Sequence, residues 1–206
     1  MSKKKISKNW IIKQHKDLFF KQSKIQGYRS RSAYKLMEMN NKFKLINKNT
    51  FLLDLGCSPG GWSQVASKII ANGKIISVDK KNMENIDKVF FFKGDFLNSE
   101  IQLKISQIFK KKIDLVLSDM AANTSGNKDL DSYKTGELCL NAMDFSKKIL
   151  HKEGVFLSKI FMGSIFDEVY KKAKKSFKKV INYKPSASRK ESKEIYIYCK
   201  GILNAK

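Results

Sequence analysis

The sequence predicts an α/β fold, a mostly parallel sheet with helices on both faces, and three observations carry that expectation. Short apolar runs of the buried-strand type alternate with amphipathic helical stretches along the chain. Aspartates recur at or just past the ends of those runs. The length, 206 residues of which 42% are hydrophobic and only 2 are proline, suits one well-buried domain and is too short for two.

In chain order, residues 1–26 read as a basic, partly flexible arm and residues 27–206 as a single domain. A helix is predicted over 30–40, where Ala33, Leu36, Met37 and Asn40 fall at helical spacing and Ser30 is available as a cap. Residues 50–55 form a short apolar run that Gly56 ends, the pattern of a buried strand. Residues 62–70 predict a helix closed by the Asn72-Gly73 turn. Strands follow at 74–79, 89–92 and 113–118, then a helix at 137–150 and a fifth strand at 154–160. A helix at 165–177 sets a lysine-rich face over a seam of Phe166, Val169, Ala173 and Phe177. Two strands, near 180–183 and 195–199, bring the sheet to seven. In such sheets ligands bind at the carboxyl ends of the strands, where the strand order reverses.

Charge narrows the partner. Forty-two Lys and Arg against nineteen Asp and Glu give a net charge of +23, a field that attracts polyanions. Residues 1–50 hold fourteen of these cations and only Asp17 and Glu38 as acids, with Trp10, Phe19, Phe20, Tyr28, Tyr34 and Phe43 interleaved. That mixture suits phosphate neutralisation beside base stacking, although Tyr34 and Phe43 are expected in the core. Only Arg29, Arg31 and Arg189 are arginine, which marks them as candidate bidentate phosphate contacts on RNA. No apolar run is long enough for a membrane span, and the Lys-rich start leads into no signal-peptide core, so a soluble cytoplasmic protein is expected. Cys57, Cys139 and Cys199 are odd in number and far apart, and His15 and His151 are isolated, which suggests neither a disulfide framework nor a metal site.

The candidate site follows from the strand ends. Asp54, Asp79, Asp95 and Asp119 each lie there, so an acidic pocket is expected inside a basic shell, and that argues for a cationic cofactor. Gly56, Gly60 and Gly61 let backbone approach a ligand, but their spacing is not that of a dinucleotide loop, and Pro59 interrupts it. S-adenosylmethionine, with a sulfonium, an ammonium and no phosphate, fits better than a dinucleotide. Asp79 is placed to accept from the ribose hydroxyls, Asp95 from the adenine amino group, and Trp62 to pack against the cofactor.

Taken together, the segments Tyr28-Arg-Ser-Arg-Ser-Ala-Tyr-Lys-Leu36, Asp54-Leu-Gly-Cys-Ser-Pro-Gly-Gly-Trp-Ser-Gln64, Ser118-Asp-Met-Ala-Ala-Asn123, the strand bearing Lys159, and Ser186-Ala-Ser-Arg189 leading to Glu194-Ile-Tyr196 resemble the FtsJ (RrmJ) family of RNA ribose 2′-O-methyltransferases. The likeness spans nearly everything after residue 8. It implies a Rossmann-like S-adenosylmethionine-dependent fold, a Lys-Asp-Lys-Glu tetrad at Lys35, Asp119, Lys159 and Glu194, and cofactor contacts at Gly60, Trp62, Asp79, Asp95 and Asp119. In size and motif it is most similar to the bacterial enzymes acting on a uridine ribose in the A-loop of 23S ribosomal RNA. That similarity implies ribosomal RNA, within the large subunit, as partner; a monomer is expected, and no metal, because in-line methyl transfer rests on alignment of oxygen, carbon and sulfur. One departure is Ala122, where the family usually has proline.

The chemistry of the four residues agrees with the resemblance. A ribose 2′-hydroxyl is a weak acid, so a base must take its proton as the oxygen attacks. A buried lysine among other cations can serve, and Lys159, on an apolar strand, is the best candidate. Lys35 is expected to assist it and to hold ribose or phosphate, Asp119 to orient it, and Glu194 to position Lys35. Competing readings are a transfer-RNA anticodon-loop methyltransferase, a non-catalytic ribosome-assembly factor, and a nicotinamide-dependent oxidoreductase.

Overall fold

The computed structural model describes residues 17–123, 125–189 and 191–203. Most of the expected arm, with Trp10 and His15, lies outside the described residues. Helices α1 (Leu18–Ile25) and α2 (Ser32–Phe43) precede β1 (Phe51–Leu55), and α3 (Gly61–Ile69), β2 (Lys74–Asp79), β3 (Val89–Lys93) and α4 (Ser99–Phe109) follow. The chain continues through β4 (Ile113–Ser118), α5 (Lys128–Ile149), β5 (Leu150–Phe161), α6 (Phe166–Ser176), β6 (Phe177–Tyr183) and β7 (Glu194–Ile202). No helix among the described residues is long and apolar enough to cross a membrane.

The strands form one sheet in the order β3-β2-β1-β4-β5-β7-β6. All neighbours are parallel except at β7, which runs antiparallel to both β5 and β6. The order therefore reverses between β1 and β4, the place where such sheets open a binding crevice.

Alternation along the strands divides the core in two. Leu53, Leu55, Ile76, Val78 and Val116 face α4, α5 and α6, with Ile105, Cys139, Ala142 and Val169 packed on them. Leu52, Ile75, Leu115, Leu117 and Leu157 face α2 and α3, against Ala33, Leu36, Trp62 and Ala66. Because β1 is covered on both sides, Leu52, Leu53 and Leu55 are buried on both of its faces with Asp54 among them, and each buried leucine is worth about 1.5–3 kcal/mol. The three cysteines are free and buried.

Several boundaries differ from the sequence expectation, among them the end of the 165–177 helix, because Phe177 is already the first residue of β6. Within the expected arm, Asp17 caps α1 by accepting from Phe20 N at 3.2 Å. Helix α2 starts at Ser32 without a side-chain cap, because the Ser30 hydroxyl bonds that of Ser32 at 2.6 Å instead, and it buries Met39 rather than Met37. Helix α5 starts at Lys128, well before residue 137, with Asn127 accepting from the amides of Asp129 and Leu130. Gly136 lies inside it because a methyl group there would overlap Ile165 at the start of α6. Strand β5 starts at Leu150, with a register irregularity against β4 before Val155.

Candidate active site

Strand register assembles the site. Val78, Leu55, Ser118, Ser158 and Ile197 lie in one row across β2, β1, β4, β5 and β7. One residue further toward the carboxyl rim the row reads Asp79, Gly56, Asp119, Lys159 and Tyr196. Lys159 and Tyr196 are direct Cα partners, and the antiparallel course of β7 puts its first residue, Glu194, at this same rim. Lys35 arrives from α2, which covers the face that carries Leu157, Lys159 and Tyr196.

The polar groups form one chain of contacts. Glu194 Oε1 accepts from Lys35 Nζ at 2.5 Å and from the Ser188 hydroxyl at 2.9 Å. Lys35 Nζ stands 3.5 Å from Tyr196 Oη, which donates to Asp119 Oδ1 at 2.9 Å. Lys159 Nζ lies 3.0 Å from that carboxylate oxygen and donates to the Asp119 carbonyl at 2.6 Å. Lys159 and Glu194 are both buried, so their charges depend on these partners. Burial works to raise the Asp119 carboxyl, but the charges of Lys159 and Lys35 and the hydrogen bonds from Lys159 and Tyr196 outweigh it and hold Asp119 below the usual carboxylate range. The Tyr196 phenol is driven well above its ordinary value, first by burial and then by Asp119 and Glu194, which keeps its proton available for donation.

Beside this chain lies a cavity of about 660 Å³, within the size range of small-molecule sites. Asp119 joins the two features, since it lines the cavity and also holds Lys159. Asp79 and Asp95 are on the wall, together with Gly56 and Met120. Asp79 accepts from the amides of Ser58 and Lys81 at 2.9 and 2.8 Å, and Asp95 from the amide of Leu97 at 3.0 Å. Gly56 has φ +75°, and a Cβ there would stand 2.8 Å from Met120, so only glycine lets the β1 loop approach the β4 loop. Carboxylate acceptors, close backbone and the absence of arginine on the wall fit an adenosyl amino acid better than a pyrophosphate.

The expected acidic pocket needs one correction. Lys80, Lys81 and Lys134 share the wall with the acids, and Lys80 Nζ pairs with Asp95 at 2.8 Å, so the wall is of mixed charge. Trp62 and Gly60 stand off the wall. The indole is buried, tilted against Tyr196 with centroids 5.7 Å apart, and donates to Ser32 O at 2.8 Å. The indole N–H and the Gly60 amide, which donates to Cys57 O at 2.7 Å, are both engaged within the protein.

The arginines read as phosphate contacts each have a partner within the protein. Arg29 donates to the carbonyls of Glu84 and Asn85, each at 2.7 Å, and so ties the loop after β2 to the segment before α2. Arg31 pairs with Asp17 and donates to Ala187 O, and Arg189 Nε lies 3.6 Å from Asp17. The aromatic rings nearby also pack on one another, Tyr34 against Phe19 and Tyr28, and Phe43 stacked on Tyr198 at 4.3 Å. Ala122 N donates to Thr135 Oγ1 at 3.2 Å, a bond that proline cannot make. Sequence reasoning missed Tyr196, Ser188 and Glu38 as parts of the site. For Tyr196 a signal existed, because a residue two past Glu194 in a strand shares its face.

Asp54 lies beneath the glycine loop, fully buried, with Oδ2 accepting from Ser63 Oγ at 2.6 Å and Oδ1 without a partner. Burial pushes its carboxyl up to about 7, against the Ser63 hydrogen bond and with help from the charges of Asp119 and Asp79. The folded protein thus holds this proton more tightly than the unfolded chain, and stability falls as pH rises from about 4 to about 7. At ~1.4 kcal/mol per pKa unit the effect reaches roughly 4 kcal/mol. Asp54→Asn should remove that slope, so urea unfolding finds the variant more stable than wild type at pH 8 and nearly equal at pH 4. Parallel curves would show that Asp54 is ionised in the fold at no cost.

Residues 28–202 match the sequence model of a family described as FtsJ-like methyltransferase. The ribosomal RNA large subunit methyltransferase E of Pelagibacter ubique is 52% identical over 200 residues, covering 97% of this chain and 98% of that protein. The protein of the same name from Rickettsia felis is 45% identical over 197 residues, covering 93% and 87%. Among solved structures, a Plasmodium falciparum protein described as a ribosomal RNA methyltransferase aligns with a TM-score of 0.76 at 35% identity, covering 86% of this chain and 100% of that one. A Streptococcus mutans methyltransferase in complex with SAH shares the fold, with a TM-score of 0.53 at 12% identity.

Proposed function

The chain belongs to the FtsJ-like methyltransferase family, and on that premise we propose that it transfers a methyl group from S-adenosylmethionine to the ribose 2′-hydroxyl of a uridine in the A-loop of 23S ribosomal RNA. In this reading it acts as a cytoplasmic monomer on the large ribosomal subunit. The observation that carries it is the double engagement of Asp119, on the cavity wall and 3.0 Å from Lys159 Nζ. Support for the RNA class comes from the named relatives and from the charge of +23.

When bound, S-adenosylmethionine supplies an electrophilic methyl group on a sulfonium. Asp79 would accept from its ribose hydroxyls and Asp95 from its adenine amino group, with Asp54, Gly56, Gly60 and Trp62 shaping the loop against its amino-acid end. As the 2′-oxygen would form its bond to that methyl carbon, with the carbon–sulfur electron pair left on sulfur, Lys159 in its amine form would take the hydroxyl proton at Nζ. The resulting ammonium has Asp119 Oδ1 at 3.0 Å and the Asp119 carbonyl at 2.6 Å to stabilise it. Lys35, fixed by Glu194, holds the ribose or its phosphate in line for attack.

The test is transfer of labelled methyl to large subunits lacking the modification, to protein-free ribosomal RNA and to bulk transfer RNA, followed by nucleoside mass spectrometry. The expected result is label on a uridine ribose in subunits and none in transfer RNA. Label confined to transfer RNA would move the substrate and keep the chemistry, whereas cofactor binding with no label on any acceptor would sink the enzymatic reading.

A further inference from the structure

Helix α2 does more than carry Lys35. Glu38, one turn beyond it, accepts four hydrogen bonds from the end of β6 and the connection that follows it. Tyr183 Oη at 2.5 Å and Ser186 N at 2.9 Å reach Oε1, while Ser186 Oγ at 2.6 Å and Ala187 N at 3.3 Å reach Oε2. Arg31, one turn before Lys35, donates to the carbonyl of the same Ala187. Both peptide groups of Ala187 are thereby held by α2. The next residue, Ser188, is buried, and its amide closes the turn on Pro185 O at 2.9 Å. Its hydroxyl reaches Glu194 Oε1 at 2.9 Å, the same oxygen that accepts Lys35 Nζ at 2.5 Å.

All four donors to Glu38 are neutral hydroxyls and amides, in a chain where lysine is abundant. Burial acts to raise the Glu38 carboxyl, but the bonds from Ser186 and Tyr183 and the two amides hold it below the usual range, so it stays an acceptor at neutral pH. A carboxylate that engages an entire turn fixes the path of the backbone, which a surface ion pair does not do.

We infer that Glu38 and Ser188 are positioning residues for methyl transfer: Glu38 sets the 183–187 turn, the turn sets Ser188, and Ser188 shares Glu194 Oε1 with Lys35 and so fixes where the Lys35 ammonium points. The inference rests on the function proposed above, in which Lys35 holds the ribose or its phosphate.

The experiment measures kcat and KM on unmodified large subunits for wild type, Ser188→Ala, Glu38→Gln and Glu194→Ala, and for each of the first two variants combined with Glu194→Ala. S-adenosylmethionine affinity is followed by calorimetry, and folding by the unfolding midpoint. Each single variant at Ser188 or Glu38 is expected to lower kcat by about tenfold, the worth of a hydrogen bond to a charged group, with cofactor Kd unchanged. Added to Glu194→Ala, neither should lower kcat further, because both act through that carboxylate. An equal fold-loss in both backgrounds would mark a general structural effect and overturn the inference, as would an unmoved kcat in both single variants. Should Glu38→Gln fold poorly, Ser188→Ala, which removes one oxygen, carries the test. A wild type that transfers no methyl to subunits removes the proposed function and this inference with it, whereas a competent wild type with unmoved variants removes this inference alone.

Discussion

Lys159→Ala is expected to lower methyl transfer by at least ~10³-fold, within the range a positioned general base supplies, while S-adenosylmethionine affinity stays within about twofold of wild type. The asymmetry follows from where the side chain sits. Lys159 Nζ is bound to the carboxylate and the carbonyl of Asp119, and the cavity wall is formed by Asp119 and its loop rather than by Lys159. Removing the lysine therefore takes away the proton acceptor and leaves the cofactor wall standing. Lys159→Arg distinguishes a base from a mere charge. A guanidinium keeps the ion pair with Asp119 but cannot give up its proton at working pH, so this variant should also be inactive although its electrostatics are preserved. It also serves as the folding control, because Lys159→Ala leaves a buried carboxylate with fewer partners, a change that costs about 3–5 kcal/mol when a buried pair is broken outright. Single-turnover transfer of labelled methyl, with calorimetry of cofactor binding, reads both quantities. An active arginine variant would assign Lys159 to charge stabilisation and require a different proton acceptor.

How much of this site could be read from the sequence depends on which physical signal each residue leaves. The strands that carry Asp54, Asp79 and Asp119 were legible because a sheet covered on both faces needs continuous apolar runs, and a carboxylate at the end of such a run stands out. The direction of β7 left no signal. Residues 195–199 read equally well as a strand of either sense, yet only an antiparallel β7 puts Glu194 at the rim with Lys159; a parallel strand would begin at the opposite edge of the sheet. The arginines show a related limit. Arg29 was singled out as needing a planar fork, and its guanidinium does make paired contacts, but to the carbonyls of Glu84 and Asn85 rather than to phosphate. A sequence reports the donor and not its acceptor. The early start of α5 was missed because residues 128–136 lack an apolar stripe, even though Asn127 with Asp129 and Asp131 behind it is a helix-start pattern. Glu38 left no trace of its role, since its four partners come from a turn about 150 residues away in sequence.

Trp62→Ala is expected to cost about 3–5 kcal/mol of stability, the usual penalty for deleting a large buried ring. That is a large share of the ~5–15 kcal/mol typical of a whole domain. The indole is only 2% exposed, lies against the ring of Tyr196, and closes the gap between α3 and the first turn of α2 by donating to Ser32 O. Trp62→Phe separates this packing role from the cofactor contact expected of the side chain in the sequence. Phenylalanine keeps a ring against Tyr196 and loses the Nε1 hydrogen bond, so its stability loss should be on the order of 1 kcal/mol, with cofactor affinity close to wild type. Urea unfolding and calorimetry on both variants decide the matter. If Trp62→Phe folds normally yet binds S-adenosylmethionine tenfold more weakly, the indole touches the cofactor after all. If affinity holds, the loss of turnover in Trp62→Ala beyond its loss of stability has a structural route. An unsupported Tyr196 ring lets its hydroxyl drift from Asp119 Oδ1, and Asp119 then loses one of the partners that fix it beside Lys159.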